Sequence, residues 1–241
     1  MVEQQPGVIG NLAVWERLSF RLVWLVSSAQ LRLSAGSALH SLPPSGPDAA
    51  LHYTVMIRPP AHAVTSVAAA LERLRGISSH HYFYPADSMH VTVGGVSRFL
   101  SDGSNVAARL AELRAVIGSY PSFDLTLRGL NVSPSTVFAQ VIPHGRSLRA
   151  LRTDLRMLGR RVGEASDFGD YVRDLLPHMN IVRFSGRVTA DLLDEVSRSR
   201  QMWFGRWTVR EVEVIRTNSL FSREDRQLLE CIPLAPTHPS A

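Results

Sequence analysis

A chain of 241 residues with 45% hydrophobic and 20% charged side chains is long enough to bury a hydrophobic core and too apolar for a disordered protein. All 26 basic residues are arginine, and the net charge of +5 weakly favours an anionic partner, because the arginine fork fits phosphate. Cys231 is the single cysteine, which excludes an internal disulfide framework and a cysteine-based zinc site. It suits a reducing compartment, so we expect a cytoplasmic protein.

The first 49 residues predict a helical extension followed by a proline-rich linker. The apolar run at residues 22–26 is followed closely by serines, so it is too short to span a bilayer, and Glu3 and Glu16 argue against a signal peptide. The run instead predicts a helix that packs on the protein's own body or on a partner, without stable membrane insertion. Residues 41–48, SLPPSGPD, are a cluster of turn formers that separates this extension from the body.

The body, residues 50–235, alternates between strand and helix patterns, and residues 236–241 form a tail. Period-two segments predict strands at residues 51–57, 81–84, 89–96, 123–130, 136–142, 177–182, 207–216 and 227–234. Segments of helical period predict helices at residues 61–75, 106–117, 147–162 and 190–200.

The helix at residues 147–162 is strongly amphipathic. Leucines at helical spacing form its apolar face, and the opposite face is predicted to carry Arg149, Arg152, Arg156 and Arg160. This arginine face either is simply solvated or tracks a phosphate backbone.

Two predicted strands carry a histidine followed, two residues later, by a polar side chain. They read His90-Val91-Thr92-Val93 and His178-Met179-Asn180-Ile181. Because successive side chains of a strand point to opposite faces, His90 shares a face with Thr92, and His178 shares one with Asn180. One such pair is a weak signal, since a histidine in a short strand is usually structural. Two pairs in similar surroundings favour a functional site.

In this order the two motifs resemble those of the 2H phosphoesterase superfamily, which includes RNA 2',5'-ligases and cyclic phosphodiesterases. Pro59-Pro60 after the opening strand and Pro177 before the second histidine add to the resemblance, which covers residues 50–235. It implies an α+β fold with two lobes, each an antiparallel-rich sheet backed by helices, related by pseudosymmetry around a central groove. The sequence departs from the family at Asn180, where the family has a hydroxyl residue.

The resemblance implies a metal-independent phosphodiesterase that opens a 2',3'-cyclic phosphate, or a related phosphodiester, of an RNA end or a small nucleotide. His90 and His178 would be the catalytic base and acid, because two imidazoles that titrate near neutrality can fill both roles. Thr92 and Asn180 would bind the phosphate, since hydroxyl and amide groups both donate hydrogen bonds. No metal or cofactor is required. We expect the two histidines to face each other across an open, positively charged groove.

Asn180 leaves an alternative function open, namely a non-catalytic nucleotide- or RNA-binding protein that retains the cleft. The N-terminal helix leaves a third, an adaptor for a membrane or a partner protein. Four aromatic residues lie near the motifs in sequence and either stack on a base or pack in the core or in loops: Tyr82, Tyr84, Phe168 and Tyr171.

The remaining histidines predict no second site. His80 and His81 would point to opposite faces of a strand, which argues against a metal site. His52 is expected to be structural, and His144, in a turn, is expected to be exposed.

Overall fold

A computed structural model describes residues 14–34, 50–101, 105–163 and 176–236. The predicted linker and nearly all of the tail lie outside these residues, as do Phe168 and Tyr171. The helices are α1 (Val14–Leu33), α2 (Ala61–Ile77), α3 (Ser97–Ser101), α4 (Val106–Gly118), α5 (Ser147–Arg161) and α6 (Ala190–Arg198). The strands are β1 (His52–Ile57), β2 (Tyr82–Phe83), β3 (Val91–Gly95), β4 (Phe123–Val132), β5 (Thr136–Pro143), β6 (His178–Arg183), β7 (Trp203–Val209), β8 (Glu211–Thr217) and β9 (Gln227–Pro233).

The strands form two antiparallel sheets, which confirms the predicted α+β class. Sheet A has the strand order β3-β1-β8-β9, and sheet B has the order β2-β6-β5-β4-β7. β3, at one edge of sheet A, contacts β6 of sheet B. The two strands that carry the histidine motifs therefore meet where the two sheets approach each other.

Each lobe is built from both halves of the chain. α2 follows β1 of sheet A but packs against β7 of sheet B, and α5 follows β5 of sheet B but packs against β3 of sheet A. This reciprocal exchange of helices agrees with a pseudo-twofold arrangement of the two lobes. The lobes consequently do not coincide with the two halves of the sequence, because β8 and β9 at the end of the chain complete sheet A.

The predicted single strand at residues 207–216 is wrong, because the structure has two strands there. β7 ends at Val209 in sheet B, and β8 begins at Glu211 in sheet A. Val209 and Val212 are both buried, and their spacing of three residues cannot lie on one face of a continuous strand. The chain therefore changes sheets at Arg210.

α5 shows the predicted leucine face and one exception among its arginines. Arg152 is only 6% exposed, so its assignment to the solvent face is wrong. Four residues advance a helix by about 400°, which brings Arg152 to within about 40° of the buried Leu148. Arg152 Nη2 donates a hydrogen bond to the backbone carbonyl of Thr92 at 2.5 Å. α5 thus holds the first motif strand in position.

α1 packs on the protein's own body, one of the two predicted alternatives. Phe20, Trp24 and Leu31 are buried, and Asn131 Nδ2 donates to the Phe20 carbonyl at 2.9 Å. The guanidinium of Arg200 lies over the ring of Trp24, 4.8 Å from its centroid. Within the described residues, no helix combines the length and hydrophobicity needed to cross a membrane.

Candidate active site

His90 lies between a short 3-10 turn, Ala86–Ser88, and strand β3. Its Nδ1 lies 2.8 Å from the carbonyl oxygen of Ser88. Since a carbonyl only accepts, Nδ1 carries the hydrogen, and in the neutral imidazole Nε2 keeps its lone pair. The turn therefore fixes both the orientation and the tautomer of His90.

Two arginines hold this turn in place. Arg58, just after β1, donates to both carboxylate oxygens of Glu213, at 2.7 and 2.6 Å, and to the Asp87 carbonyl at 2.9 Å. Arg226 also donates to the Asp87 carbonyl and, at 3.3 Å, to its carboxylate. Bidentate guanidinium–carboxylate pairs are geometrically specific, so the position of the Ser88 carbonyl is well defined.

The Phe221 ring covers the imidazole of His90. The two rings are stacked, with their centroids 3.4 Å apart and their planes inclined by 23°. Phe221 has a φ of 55°, in the left-handed region, which costs a residue with a Cβ about 1–2 kcal/mol. His90 is only 5% exposed beneath it. The expected open groove is therefore not present at His90.

The surroundings of His90 favour its neutral form. Burial lowers its pKa to about 3; the hydrogen bond to Ser88 opposes this shift, and positive charge on His178, Arg58 and Arg226 adds to it. His90 is therefore uncharged at neutral pH in this arrangement.

His178 begins strand β6 and repeats the backbone arrangement of His90. Its Nδ1 lies 2.8 Å from the carbonyl oxygen of Leu176, again two residues earlier in the chain. The imidazole contacts the Phe138 ring, whose centroid is 5.2 Å away, and it remains half-buried. Phe138 and Leu176 pack with Phe20 of α1 in a small cluster. α1 thus packs behind Phe138, the ring that contacts His178.

The structure brings the two motifs together. β3 contacts β6, and the charge of His178 acts on the pKa of His90. Along β6, half-buried His178 and Asn180 alternate with buried Met179 and Ile181, as predicted from the strand period. Thr92 is likewise half-buried between two buried valines of β3. His178 and Asn180 therefore share a face of β6, whereas His90 is buried and lies outside β3, directly before Val91.

The side-chain amide of Asn180 has one atom that makes no hydrogen bond within the described residues. Its Oδ1 is buried and has no hydrogen-bond partner among the described residues. A buried carboxamide oxygen without a partner is unfavourable, by about 1–3 kcal/mol, unless a ligand or water supplies a donor. The oxygen is consequently available to a bound molecule, and a flip of the amide would present the NH2 group instead.

The two described aromatic candidates for base stacking differ. Tyr84 is 3% exposed, and burial raises its pKa while the charge of Arg183 and a hydrogen bond from it act the other way. Core packing, the alternative role, is what the structure favours for Tyr84. Tyr82 is half-buried, and its ring meets that of Tyr84 edge to face at 5.1 Å. Tyr82 therefore keeps a surface that a base could reach.

The structure also places four further histidines for which the sequence predicts no catalytic role. His80 and His81 precede β2 rather than lying within it, so their rings are not on opposite faces but 4.0 Å apart. His144 is not fully exposed, because its Nε2 lies 2.8 Å from Thr126 Oγ1. His52 lies edge to face with Phe221, at 6.1 Å. In the described part of the chain, no three histidine, cysteine or carboxylate side chains cluster as metal ligands would.

Sequence reasoning missed Phe221, Arg58 and Arg226. Phe221 lies in a loop more than a hundred positions from His90, and no local pattern connects them. Arg58 directly follows β1 and precedes Pro59-Pro60. Its position indicates a contact near His90 only when β1 is known to adjoin β3.

Comparison with solved structures gives several proteins of similar fold. TT0787 of Thermus thermophilus is 16% identical, with a TM-score of 0.57 over 78% of this chain and 100% of its own. E. coli LigT in its apo form is 17% identical, with a TM-score of 0.53 over 78% and 99%. A protein crystallised as a phosphoesterase is 20% identical, with a TM-score of 0.52 over 77% and 99%. These likenesses show a shared fold. A search of curated proteins gives no match.

The family model of the 2'-5' RNA ligase superfamily matches residues 37–219, which is more than half of the 241-residue chain. The match spans both histidine motifs and agrees with the fold of two antiparallel sheets. Membership supports phosphoesterase activity in general. The chain belongs to the 2'-5' RNA ligase superfamily, that is, to the 2H phosphoesterases.

Proposed function

We propose that this protein is a metal-independent phosphodiesterase that opens a 2',3'-cyclic phosphate, or a related phosphodiester, of an RNA end or a small nucleotide. One observation carries the proposal: two neighbouring imidazoles, each with Nδ1 bonded at 2.8 Å to the carbonyl two residues earlier. Both Nε2 atoms are thereby set in a defined orientation for proton transfer.

The reaction needs one base and one acid. His90 is neutral and takes a proton from water through Nε2 while the water oxygen forms a bond to phosphorus. The bond from phosphorus to one ribose oxygen breaks, and protonated His178 gives its Nε2 proton to that oxygen. Solvent then returns both histidines to their starting protonation states. We assign the base role to His90 because its imidazole is uncharged at neutral pH when covered and remains mostly uncharged when hydration raises its pKa toward 6.5.

Thr92 and Asn180 are the proposed donors to the non-bridging oxygens. Asn180 shares a face of β6 with His178, and Thr92 lies two residues after His90 on the adjoining strand, which supports a role for both where charge develops on the phosphoryl group. Preorganised donors at such a position are commonly worth a factor of about 100 to 1,000 in rate. The donor would be Asn180 Nδ2, which takes the position of the unpaired Oδ1 when the amide is flipped.

The substrate class rests on the charge of the chain and on relatives with the same fold. E. coli LigT has been crystallised with 3'-AMP and with phosphate. The net charge of +5 favours an anionic substrate here. Tyr82, half-buried beside the second motif strand, is the described residue best placed to stack on a base. We expect the protein to act in the cytoplasm.

The direct test is incubation of the pure protein with a 2',3'-cyclic nucleotide in the presence of a chelator. We expect a phosphomonoester product, and we expect His178→Asn to slow its formation by about 1,000-fold. His62→Asn is the matched control, since His62 is an exposed histidine on α2. Absence of turnover with cyclic nucleotides and with RNA carrying a cyclic end would contradict the proposal.

A second candidate is a nucleotide- or RNA-binding protein without turnover. Two observations favour it: His90 is covered by Phe221, and Asn180 replaces the hydroxyl residue of the family. Binding of 3'-AMP measured by calorimetry, together with no turnover in the assay above, would identify this case. Turnover by the wild type would exclude it.

A further inference from the structure

We infer that Phe221 is a positioning residue that controls access to His90, and that its loop, residues 218–225, moves when a phosphate ester reaches the imidazole. The inference takes its catalytic meaning from the proposed function. Its geometric basis concerns the free protein and can be tested without any substrate.

The Phe221 ring shields His90 from solvent. Its ring is stacked on His90 at 3.4 Å, and His52 lies edge-on to the same ring at 6.1 Å. Met56 and Ile215 form the apolar floor beneath Phe221. Only 5% of His90 remains accessible. A general base must come within hydrogen-bond distance of the proton that it removes, so catalysis requires the ring to leave this position.

The side chain of Asn218 connects residues within the loop. Asn218 Oδ1 accepts from the backbone N–H groups of Leu220 and Ser222, at 3.0 and 3.1 Å. Asn218 Nδ2 donates to Ser222 Oγ at 2.9 Å and to Asp225 Oδ2 at 2.8 Å. These four bonds stay inside the loop, so its internal shape does not depend on the stacked position of Phe221.

The backbone conformation of Phe221 is unfavourable on its own, so other contacts must hold the residue in place. A φ of 55° lies in the left-handed region, where a bulky side chain is uncommon. Strained residues of this kind persist when surrounding contacts hold them, and they are concentrated at functional sites. Contacts with His90, Met56 and Ile215 supply that hold, and they are lost together when the loop opens.

Uncovering His90 also changes its basicity. The groups that face it are His178 from β6, Arg58 after β1, Arg226 before β9 and, beyond Phe221, His52. Glu213 pairs with Arg58, and Asp87 pairs with Arg226. With the ring in place, burial holds the pKa of His90 near 3, which is too low for an efficient base at neutral pH. Hydration of the imidazole after loop opening raises this pKa toward its ordinary value of 6.5.

The test is the rate of carbethoxylation of His90 by diethyl pyrocarbonate in the free protein, followed by peptide mass spectrometry. We expect Phe221→Gly to react about tenfold faster or more, because modification requires the exposed imidazole. Glycine accepts the left-handed backbone, so the substitution removes the ring without opposing the local conformation. Phe221→Tyr keeps an aromatic ring and should restore the slow rate.

Ser219→Gly is the matched loop control, since it adds a glycine at an exposed position without touching the ring, and it should leave the rate unchanged. The exposed His62 serves as the reference rate within each protein. Asn218→Ala provides a second variant, which loosens the loop while keeping Phe221, and it should also accelerate modification. Equal His90 rates in wild type and Phe221→Gly would overturn the inference.

A titration of the His90 imidazole by NMR gives an independent readout. We expect the pKa of His90 to lie far below 6.5 in the wild type and to rise toward that value in Phe221→Gly. An unchanged pKa in the variant would also overturn the inference. If both readouts follow expectation while no cyclic phosphate is turned over, the proposed function fails and the role of Phe221 in covering His90 stands.

Discussion

His90 directly precedes β3 and His178 begins β6, the two strands that meet between the sheets, and each histidine donates from Nδ1 to a carbonyl two residues earlier, at 2.8 Å. His90 is buried under the stacked Phe221 ring, whereas His178 is half-buried against the tilted Phe138 ring. The backbone therefore sets the same tautomer twice, and the covering aromatic sets a different solvation at each site. Two imidazoles with similar backbone hydrogen bonds therefore differ in solvation, which is the condition for giving one the proposed base role and the other the proposed acid role.

The largest expected effect tests whether the two histidines act as one unit. We expect His90→Asn and His178→Asn each to lower turnover of a cyclic nucleotide by about 1,000-fold, within the range of general acid–base catalysis. The double variant should be no slower than the slower single variant, because residues that act as a unit are not additive. Steady-state kinetics on the three proteins gives the answer. Additive losses would mean that the histidines work in separate steps.

The next effect concerns the polar residue that differs between the motifs. Asn180→Ala should lower turnover by about 100-fold, typical of losing one donor to a developing oxyanion, while binding weakens less. Asn180→Thr should keep or raise activity, because a hydroxyl would replace the amide on the same strand face. Comparison of kcat and KM for the two variants separates turnover from binding. Turnover that appears only in Asn180→Thr would identify the natural protein as a binder.

A smaller effect is expected from Phe20, a residue of α1 that packs near His178. Phe20 of α1 packs with Phe138 and Leu176 behind His178. Phe20→Ala should lower the free energy of unfolding by about 3 kcal/mol, the usual result of truncating a buried phenylalanine. Leu22→Ala, on the exposed side of α1, is the control and should change stability by less than about 0.5 kcal/mol. Urea denaturation measures both.

The same Phe20 variant should affect the two histidines unequally. Carbethoxylation of His178 should become faster in Phe20→Ala, because its wall loosens, whereas that of His90 should not change. Equal changes at both histidines would mean that α1 stabilises the whole body rather than the second site.

The smallest expected effect comes from a histidine that is buried outside the site. Burial, together with neighbouring His80, lowers the pKa of His81 to about 4. The unfolded chain takes up a proton near pH 6.5 and the folded protein does not, so stability is lost as the pH falls from about 6.5 toward 4. We expect a loss on the order of 2 kcal/mol over this window.

His81→Gln keeps a polar side chain that does not titrate, and it should flatten this part of the stability curve. Urea denaturation at several pH values provides the measurement. His90, with a pKa of about 3, remains acid-sensitive in both proteins, so the variant should lose less stability than the wild type rather than none. Equal losses between pH 6.5 and 4 would contradict the lowered pKa of His81.

Sequence periodicity identified most of the elements and both motif strands. The leucine spacing of α5 and the alternation of His178 to Ile181 are local consequences of the helix and strand repeats, so they could be read without a structure. The periodicity failed at residues 207–216, where the sheet changes between Val209 and Glu211. A period describes one face of one element, and it does not say which sheet that element joins.

The sequence by itself determined the two histidines, their polar neighbours and the family resemblance, because each motif depends only on residues two positions apart. The tertiary structure alone decided that Phe221 covers His90, that Arg152 is buried and that α1 supports His178. These contacts join residues that are far apart in the chain, and their energies depend on packing and burial rather than on local conformation. The difference between a buried His90 and a more exposed His178 therefore arises only when the two sheets come together.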